Sequence, residues 1–292
     1  MNVPRSIFLM VLLISVLTIV ATTTPFTFTA GPGPSEHVSV RGETIELYGY
    51  GPYRHMPADV AVQGLAQDVV TLVIALPLLL SSLWSARHGS RAAYLILTGS
   101  VGYLFVQYLM YLAMGTYNEL FLVWIVLVLL LLQALVRLML HGMDAIAAWD
   151  QPSASTRRYV GSFLLVNGTL IALLWLSVVV PPLLDGTLYP RGLAHFTTMI
   201  VQGFDLALFL PPSLISGYYY LRANRTGDLM APVYAVFLSL QMAALLAKIA
   251  WMAAVGVSAG PALVIIPLLL VGAVIAAYLA LRPHRQSNTV GA

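Results

Sequence analysis

Apolar residues fill eight stretches of the chain, at 7–20, 65–86, 92–114, 118–140, 160–182, 196–221, 231–255 and 260–281. Each run is continuous rather than alternating, and most reach the length a helix needs to cross a bilayer. Only helices or closed barrels satisfy every backbone polar group in lipid, and barrel strands alternate. The pattern predicts an all-α polytopic membrane protein, a bundle of about eight transmembrane helices. The first run follows Arg5 and has two readings, a signal peptide or a first helix over 1–24. Phe28 stands where a cut after Ala30 would want a small residue, which favours an uncleaved helix.

Between the first two runs, residues 25–64 are predicted to form one long extracytoplasmic loop. Within it GlyProGlyProSer (31–35) is a turn-rich linker, and residues 37–50 alternate well enough to predict a short hairpin. The aromatic piece 49–57 that follows is expected to lie over the mouth of the bundle. Seven helices over 65–282 and a cytoplasmic tail at 283–292 complete the expected organisation, a single membrane domain spanning 1–292. No period of 20–50 residues recurs, and no inverted repeat is evident.

The chain is 60% hydrophobic and 9% charged, against about 25% charged residues in a soluble domain. Its net charge of +3 therefore reports topology, not an affinity for nucleic acid. With eight spans and a cytoplasmic N-terminus, ten arginines fall inside and three (Arg41, Arg54, Arg191) outside, which places both termini in the cytoplasm. Cysteine is absent, so disulfides and thiolate chemistry are excluded. There is no HExxH, Walker A or GxSxG pattern, so no metal site is expected and no cofactor is specified.

Against thirteen arginines the chain has one lysine, Lys248, inside the seventh apolar run. An ionisable group within a membrane span is costly and marks a functional site by default. Counting about 1.5 Å per residue puts Lys248 in the outer half of its span and Asp205 in the outer half of the sixth, with Gln202 on the same face. Asp68 falls in the outer turns of the second span, Gln107 on a stripe with Tyr103 and Tyr111 in the third, and Asn118 and Glu119 at the start of the fourth. The predicted object is an outward-facing polar pocket, with Asp205 paired to Lys248 and Asp68, Glu119, Gln107, Asn118 and Gln202 as its lining. Prolines Pro77, Pro211, Pro212 and Pro267 are expected to kink their spans. A Schiff-base lysine is disfavoured, because another span follows and Ala244 stands where microbial rhodopsins carry an aspartate.

A plainer reading is that these groups hold helices together, each contributing about 0.6–2 kcal/mol. Three functions follow: solute binding or transport of a permease-like kind, an enzyme at the outer leaflet, or an assembly subunit. The partners expected are the lipid bilayer and a small solute or lipid headgroup. The stretches AlaGlnAspValValThrLeu (66–72), TyrAsnGluLeuPheLeuValTrp (117–124) and AspLeuAlaLeuPheLeuProPro (205–212) resemble a group of prokaryotic multi-pass membrane proteins. That resemblance implies an integral-membrane bundle in a cell membrane and carries no assigned activity or site residues.

Overall fold

The computed structural model describes residues 3–146, 149–190, 193–254, 256, 260 and 262–282. The expected tail at 283–292, Arg191 and most of the loop 258–261 lie outside these residues. Among the described residues eight helices are long and apolar enough to cross a membrane: α1 (Arg5–Thr27), α2 (Ala58–Arg87), α3 (Arg91–Met114), α4 (Phe121–Ala145), α5 (Ala154–Val179), α6 (Ile200–Leu221), α7 (Arg225–Ala254) and α8 (Ala262–Leu281). The protein is an all-α polytopic membrane protein. α1 packs on α4 and α2, with Val11 and Ile14 fully enclosed. The helix ends differ from expectation where capping, not hydropathy, decides them. Although its apolar run begins near 231, α7 starts at Arg225, because Asn224 accepts the Thr226 N–H (2.9 Å) and Asp228 sits in the first turn. α2 begins at Ala58, directly after Pro57 and without a side-chain cap, a position in the segment expected to be loop.

Two helices are interrupted at corresponding places. In α2 the backbone widens to a π-helix over Thr71–Ala75, and in α6 over Asp205–Phe209. Each π segment is followed by one leucine and then proline, Pro77 in α2 and Pro211 in α6. Proline offers no N–H and crowds the carbonyl a turn earlier, so a widened turn just before it relieves the clash.

These two breaks lie 134 positions apart (205 − 71), and the same offset relates feature after feature. Ser82 and Ser216 are buried, donating to the carbonyls of Leu79 and Ser213. Gly89 and Ala223 both adopt left-handed backbone in the turn to the next helix. The next position caps that helix, Ser90 accepting from Ala93 N–H and Asn224 from Thr226 N–H. Arg91 and Arg225 begin α3 and α7, and Gln107 and Gln241 stand midway along them.

Helix packing follows the same rule. α2 packs on α3 as α6 does on α7, α3 on α4 as α7 on α8, and α1 on α4 as α5 on α8. α7 reaches across to α2, and α3 reaches back to the first turn of α6. Where α3 and α7 cross, a Cβ on Gly99 would come within 2.7 Å of the carbonyl of Val233, its own counterpart. Contact between counterparts is what a pseudo-twofold axis requires. The two units run in the same direction across the membrane, so the axis lies along the membrane normal.

Above the bundle, the predicted hairpin forms from β1 (Ser35–Val38) and β2 (Thr44–Leu47), paired antiparallel. Its Arg41 reaches the other unit, donating to the carbonyls of Ala194 (2.6 Å) and Phe196 (2.7 Å) with its guanidinium over Tyr189. A tight segment, Gly49 to Met56, then turns down into the mouth. Its 3₁₀ turn Gly51–Tyr53 is held by Gly51 N–H on Ala30 carbonyl (2.9 Å). The segment expected to cover the mouth does so.

Candidate functional site

The outer half of the first unit holds a closed polar network. Asp68, fully buried, accepts hydrogen bonds from the hydroxyls of Tyr53 (2.6 Å) and Tyr111 (3.1 Å). Tyr53 comes from the covering segment, where burial pushes its hydroxyl pKa up and keeps it a donor. One turn further in, the Thr71 hydroxyl contacts Gln107 Oε1 (2.6 Å) and Tyr103 Oη (3.1 Å), and Gln67 Nε2 donates to Tyr103 (2.8 Å). Three elements meet here because Asp68, Gln67 and Thr71 share a face of α2, while Tyr103, Gln107 and Tyr111 share one of α3. Gln67 Oε1 and Gln107 Nε2 stay buried without a partner among the described residues, and the bonds that are made suit a buried polar cluster holding helices in register.

The second unit offers the corresponding place in a different state. Asp205, counterpart of Thr71, accepts from the indole Nε1 of Trp175 on α5 (2.6 Å) and is only partly buried. Gln241, counterpart of Gln107, has its Oε1 buried with no hydrogen-bond partner among the described residues. On α7, Tyr234, Gln241 and Lys248 are spaced by seven, so they share one face. The Tyr234 hydroxyl donates to the Phe209 carbonyl (2.9 Å), turning that face toward α6. Gln202, counterpart of Asp68, is half-buried and lies a turn before Asp205.

Lys248 is half-buried and has no hydrogen bond or ion pair among the described residues, so the expected contact pair with Asp205 is not formed. Register explains this. The Thr71–Gln107 hydrogen bond sets the level of α2 against α3, and by the 134-residue offset Asp205 and Gln241 correspond to that pair. Lys248 is then two turns further out, about 10 Å along the axis. Its charge still lies within the field of both Asp68 and Asp205. It is bonded to neither carboxylate among the described residues.

The remaining expected residues do other work. Glu119 is exposed and pairs with Arg54 of the covering segment (2.8 Å), and its carboxyl is held below the ordinary range by its own backbone N–H and by Arg54. Asn118 is buried in the turn before α4, accepting from Leu120 N–H (2.8 Å) and donating to the Gly115 carbonyl (3.1 Å). Both fasten the outer rim and do not line the Asp205 site. Sequence reasoning missed Trp175 and Tyr53, which lie on other elements with no spacing signal. It also missed the clamp at the cytoplasmic end, where Arg157 makes a bidentate ion pair with Asp228 and donates to the Tyr220 carbonyl (3.1 Å) and Gln151 Oε1 (2.6 Å). An aspartate just after an inner-surface arginine (Arg225) was the available clue to that clamp.

Comparison of the chain with protein families, with curated proteins and with solved structures gave no match.

Proposed function

We propose that the protein is a permease-like solute carrier of a cell membrane, binding a small solute in the outer half of the bundle between its two units. One observation carries the reading: a break of the same form, a π segment followed by proline, in the second helix of each unit. Each break begins at a polar side chain and lies level with a glutamine of the next helix. Interrupted helices in corresponding positions of two repeats are the arrangement by which many carriers build a midplane site, because freed backbone and polar groups can meet a ligand there. Helix interruptions kept in both halves are hard to explain as packing, since an uninterrupted helix hydrogen-bonds more completely. The pivot would be the close α3–α7 crossing, with the hairpin tie through Arg41 and the Tyr53–Asp68 bond closing the outer side.

Because the chain has no cysteine, labels can be placed at will. Spin labels at Tyr117→Cys and Leu188→Cys, exposed outer positions in the two units, report the separation of the halves. A carrier gives two distance populations whose ratio changes with ionic conditions. One narrow population, unchanged across pH and salt, would exclude rocking and with it the carrier reading.

A further inference from the structure

We propose that the protein holds one anionic phospholipid of the cytoplasmic-side leaflet in a groove on α5, with the phosphate against Arg158 and an acyl chain along Phe163 and Val166. The site is separate from the solute position and does not depend on the carrier reading.

The groove encloses about 560 Å³ and is lined by Ser155, Arg158, Tyr159, Ser162, Phe163 and Val166. These positions recur at three- and four-residue steps, so they form one face of the helix. That face is turned away from the core of the unit, because Thr156, Arg157, Val160 and Leu164, which alternate with it in sequence, are the buried ones. Phe163 leans toward α8, where Gly272 makes room for it; a Cβ there would come within 2.6 Å of the ring. Tyr159 stands parallel to Phe163, with ring planes 4° apart, so the two rings make one wall.

The order of chemistry along the groove fits a phospholipid lying parallel to the helix. Its polar end is at the start of α5, which the arginine bias places at the cytoplasmic surface. There it offers the Arg158 guanidinium and the Ser155 hydroxyl; Ser162 adds a hydroxyl a turn deeper, and Phe163 and Val166 continue into the hydrocarbon. From Ser155 to Val166 is about 16 Å along the axis, room for a phosphate, a glycerol and the upper part of a chain.

Charge decides the headgroup. Arg158 is exposed and makes no ion pair or hydrogen bond among the described residues. Its neighbours three and four positions away are Ala154, Ser155, Gly161 and Ser162, none of them acidic. Asp228, which enters this end from α7, has both oxygens on Arg157. A second guanidinium arrives from α8, where exposed Arg282 reaches the Thr156 hydroxyl (3.5 Å) in the same turn as Ser155. A guanidinium only donates, and it pairs with phosphate through two N–H groups. The group that matches is a phosphate that brings no ammonium of its own, and basic pockets on the cytoplasmic side of helical bundles hold such headgroups.

The test uses the full-length protein purified in detergent and titrated with phosphatidylglycerol, phosphatidylcholine or inorganic phosphate, with bound molecules counted by native mass spectrometry. One phosphatidylglycerol should be retained, at a concentration about fivefold or more below that needed for phosphatidylcholine. Arg158→Gln should remove most of that preference, and Arg158→Lys should keep part of it, because the charge stays while the two-pronged contact is lost. Ser162→Trp, which fills the groove and leaves Arg158 in place, should also lower phosphatidylglycerol retention. An equal loss in Arg5→Gln, an exposed arginine at the inner end of the first unit, would mean diffuse attraction by charge and would overturn the site. Equal retention of the two lipids by the wild type, an unchanged preference in Arg158→Gln, or full retention in Ser162→Trp would overturn it as well. Occupancy by inorganic phosphate that excludes the lipid would assign the place to a free anion, and a dimer that Ser162→Trp dissociates would assign it to a second copy; either result overturns the lipid. None of these outcomes bears on the carrier reading.

Discussion

Removing one oxygen from the covering segment should loosen the outer mouth. In Tyr53→Phe the ring keeps its place, packed against Gly64 and edge-on to Tyr111, and only the hydroxyl on Asp68 is lost. That bond, 2.6 Å and fully buried, is of the kind that contributes about 1.5–3 kcal/mol when one partner is charged. If it is made only when the segment is seated, opening of the segment becomes about 10- to 150-fold more frequent. The natural absence of cysteine gives a direct assay. Met56→Cys lies three residues beyond Tyr53 with the native side chain 2% exposed, so a membrane-impermeant maleimide reaches it only on opening. Its labelling rate should rise by the same factor when Tyr53→Phe is added. Arg54→Gln is the internal comparison. It breaks the exposed pair with Glu119, and exposed pairs contribute about 0–1 kcal/mol, so its effect should stay within about fivefold. Equal rates in Met56→Cys with and without Tyr53→Phe would refute the idea that Asp68 latches the mouth.

Two further outcomes are expected. Asp228→Asn breaks a buried ion pair, a loss of about 3–5 kcal/mol, placed here at the lower end because Arg157 keeps the Tyr220 carbonyl and Gln151. The midpoint of denaturation in sodium dodecyl sulfate should fall for the single variant and recover substantially in Arg157→Met/Asp228→Leu; equal losses in both would contradict a clamp. The hairpin contact should weaken in acid, because burial, His37 and Arg41 lower the pKa of His195 below 6.5. A base with a lowered folded pKa leaves the unfolded form holding more protons, so its contribution is complete above 6.5 and declines as pH falls toward the lowered value. Protection of the amides over 35–47, each rate taken relative to the intrinsic exchange rate at that pH, should therefore be weaker at about pH 5.5 than at about pH 7.5, and His195→Gln should flatten the difference.

Much of the architecture could be read from the chain because hydropathy is a summed signal over twenty residues, and the arginine bias is summed over all loops. The hairpin was legible through its alternation. What failed was the level of one side chain against another. The predicted pairing of Asp205 with Lys248 counted depth from the ends of apolar runs, and those ends were wrong by six or seven residues at α2 and α7. Six residues of helix are about 9 Å, more than the reach of an ion pair. The π segments left no mark either, since a widened turn changes which carbonyl a hydrogen bond meets and not which residues are present. The 134-residue repeat was hidden for a related reason. It preserves backbone devices such as the prolines and the caps, while the lipid-facing letters between them vary among Leu, Ile, Val, Phe and Ala at little energetic cost.

The repeat also gives meaning to the differences between its copies. In the first unit, position 71 is a hydroxyl, the outer carboxylate Asp68 is covered by Tyr53, and the residues around them are 0–8% exposed. In the second, position 205 is a carboxylate, Gln202 stands in place of Asp68, and among the described residues no segment comparable to 49–56 descends upon it. A duplicated unit begins with two equal sites, and a chain that needs only one can spend the other on stability. The network of the first unit, enclosed by the covering segment, has the character of a scaffold, although Gln67 Oε1 and Gln107 Nε2 are buried without partners among the described residues. The second unit keeps a half-buried carboxylate, and Gln241 Oε1 is likewise unpartnered among the described residues. Lys248 fits this division, because it belongs to the second unit yet lies in the fields of both Asp68 and Asp205. It has no polar counterpart in the first unit, where Met114 occupies the equivalent place.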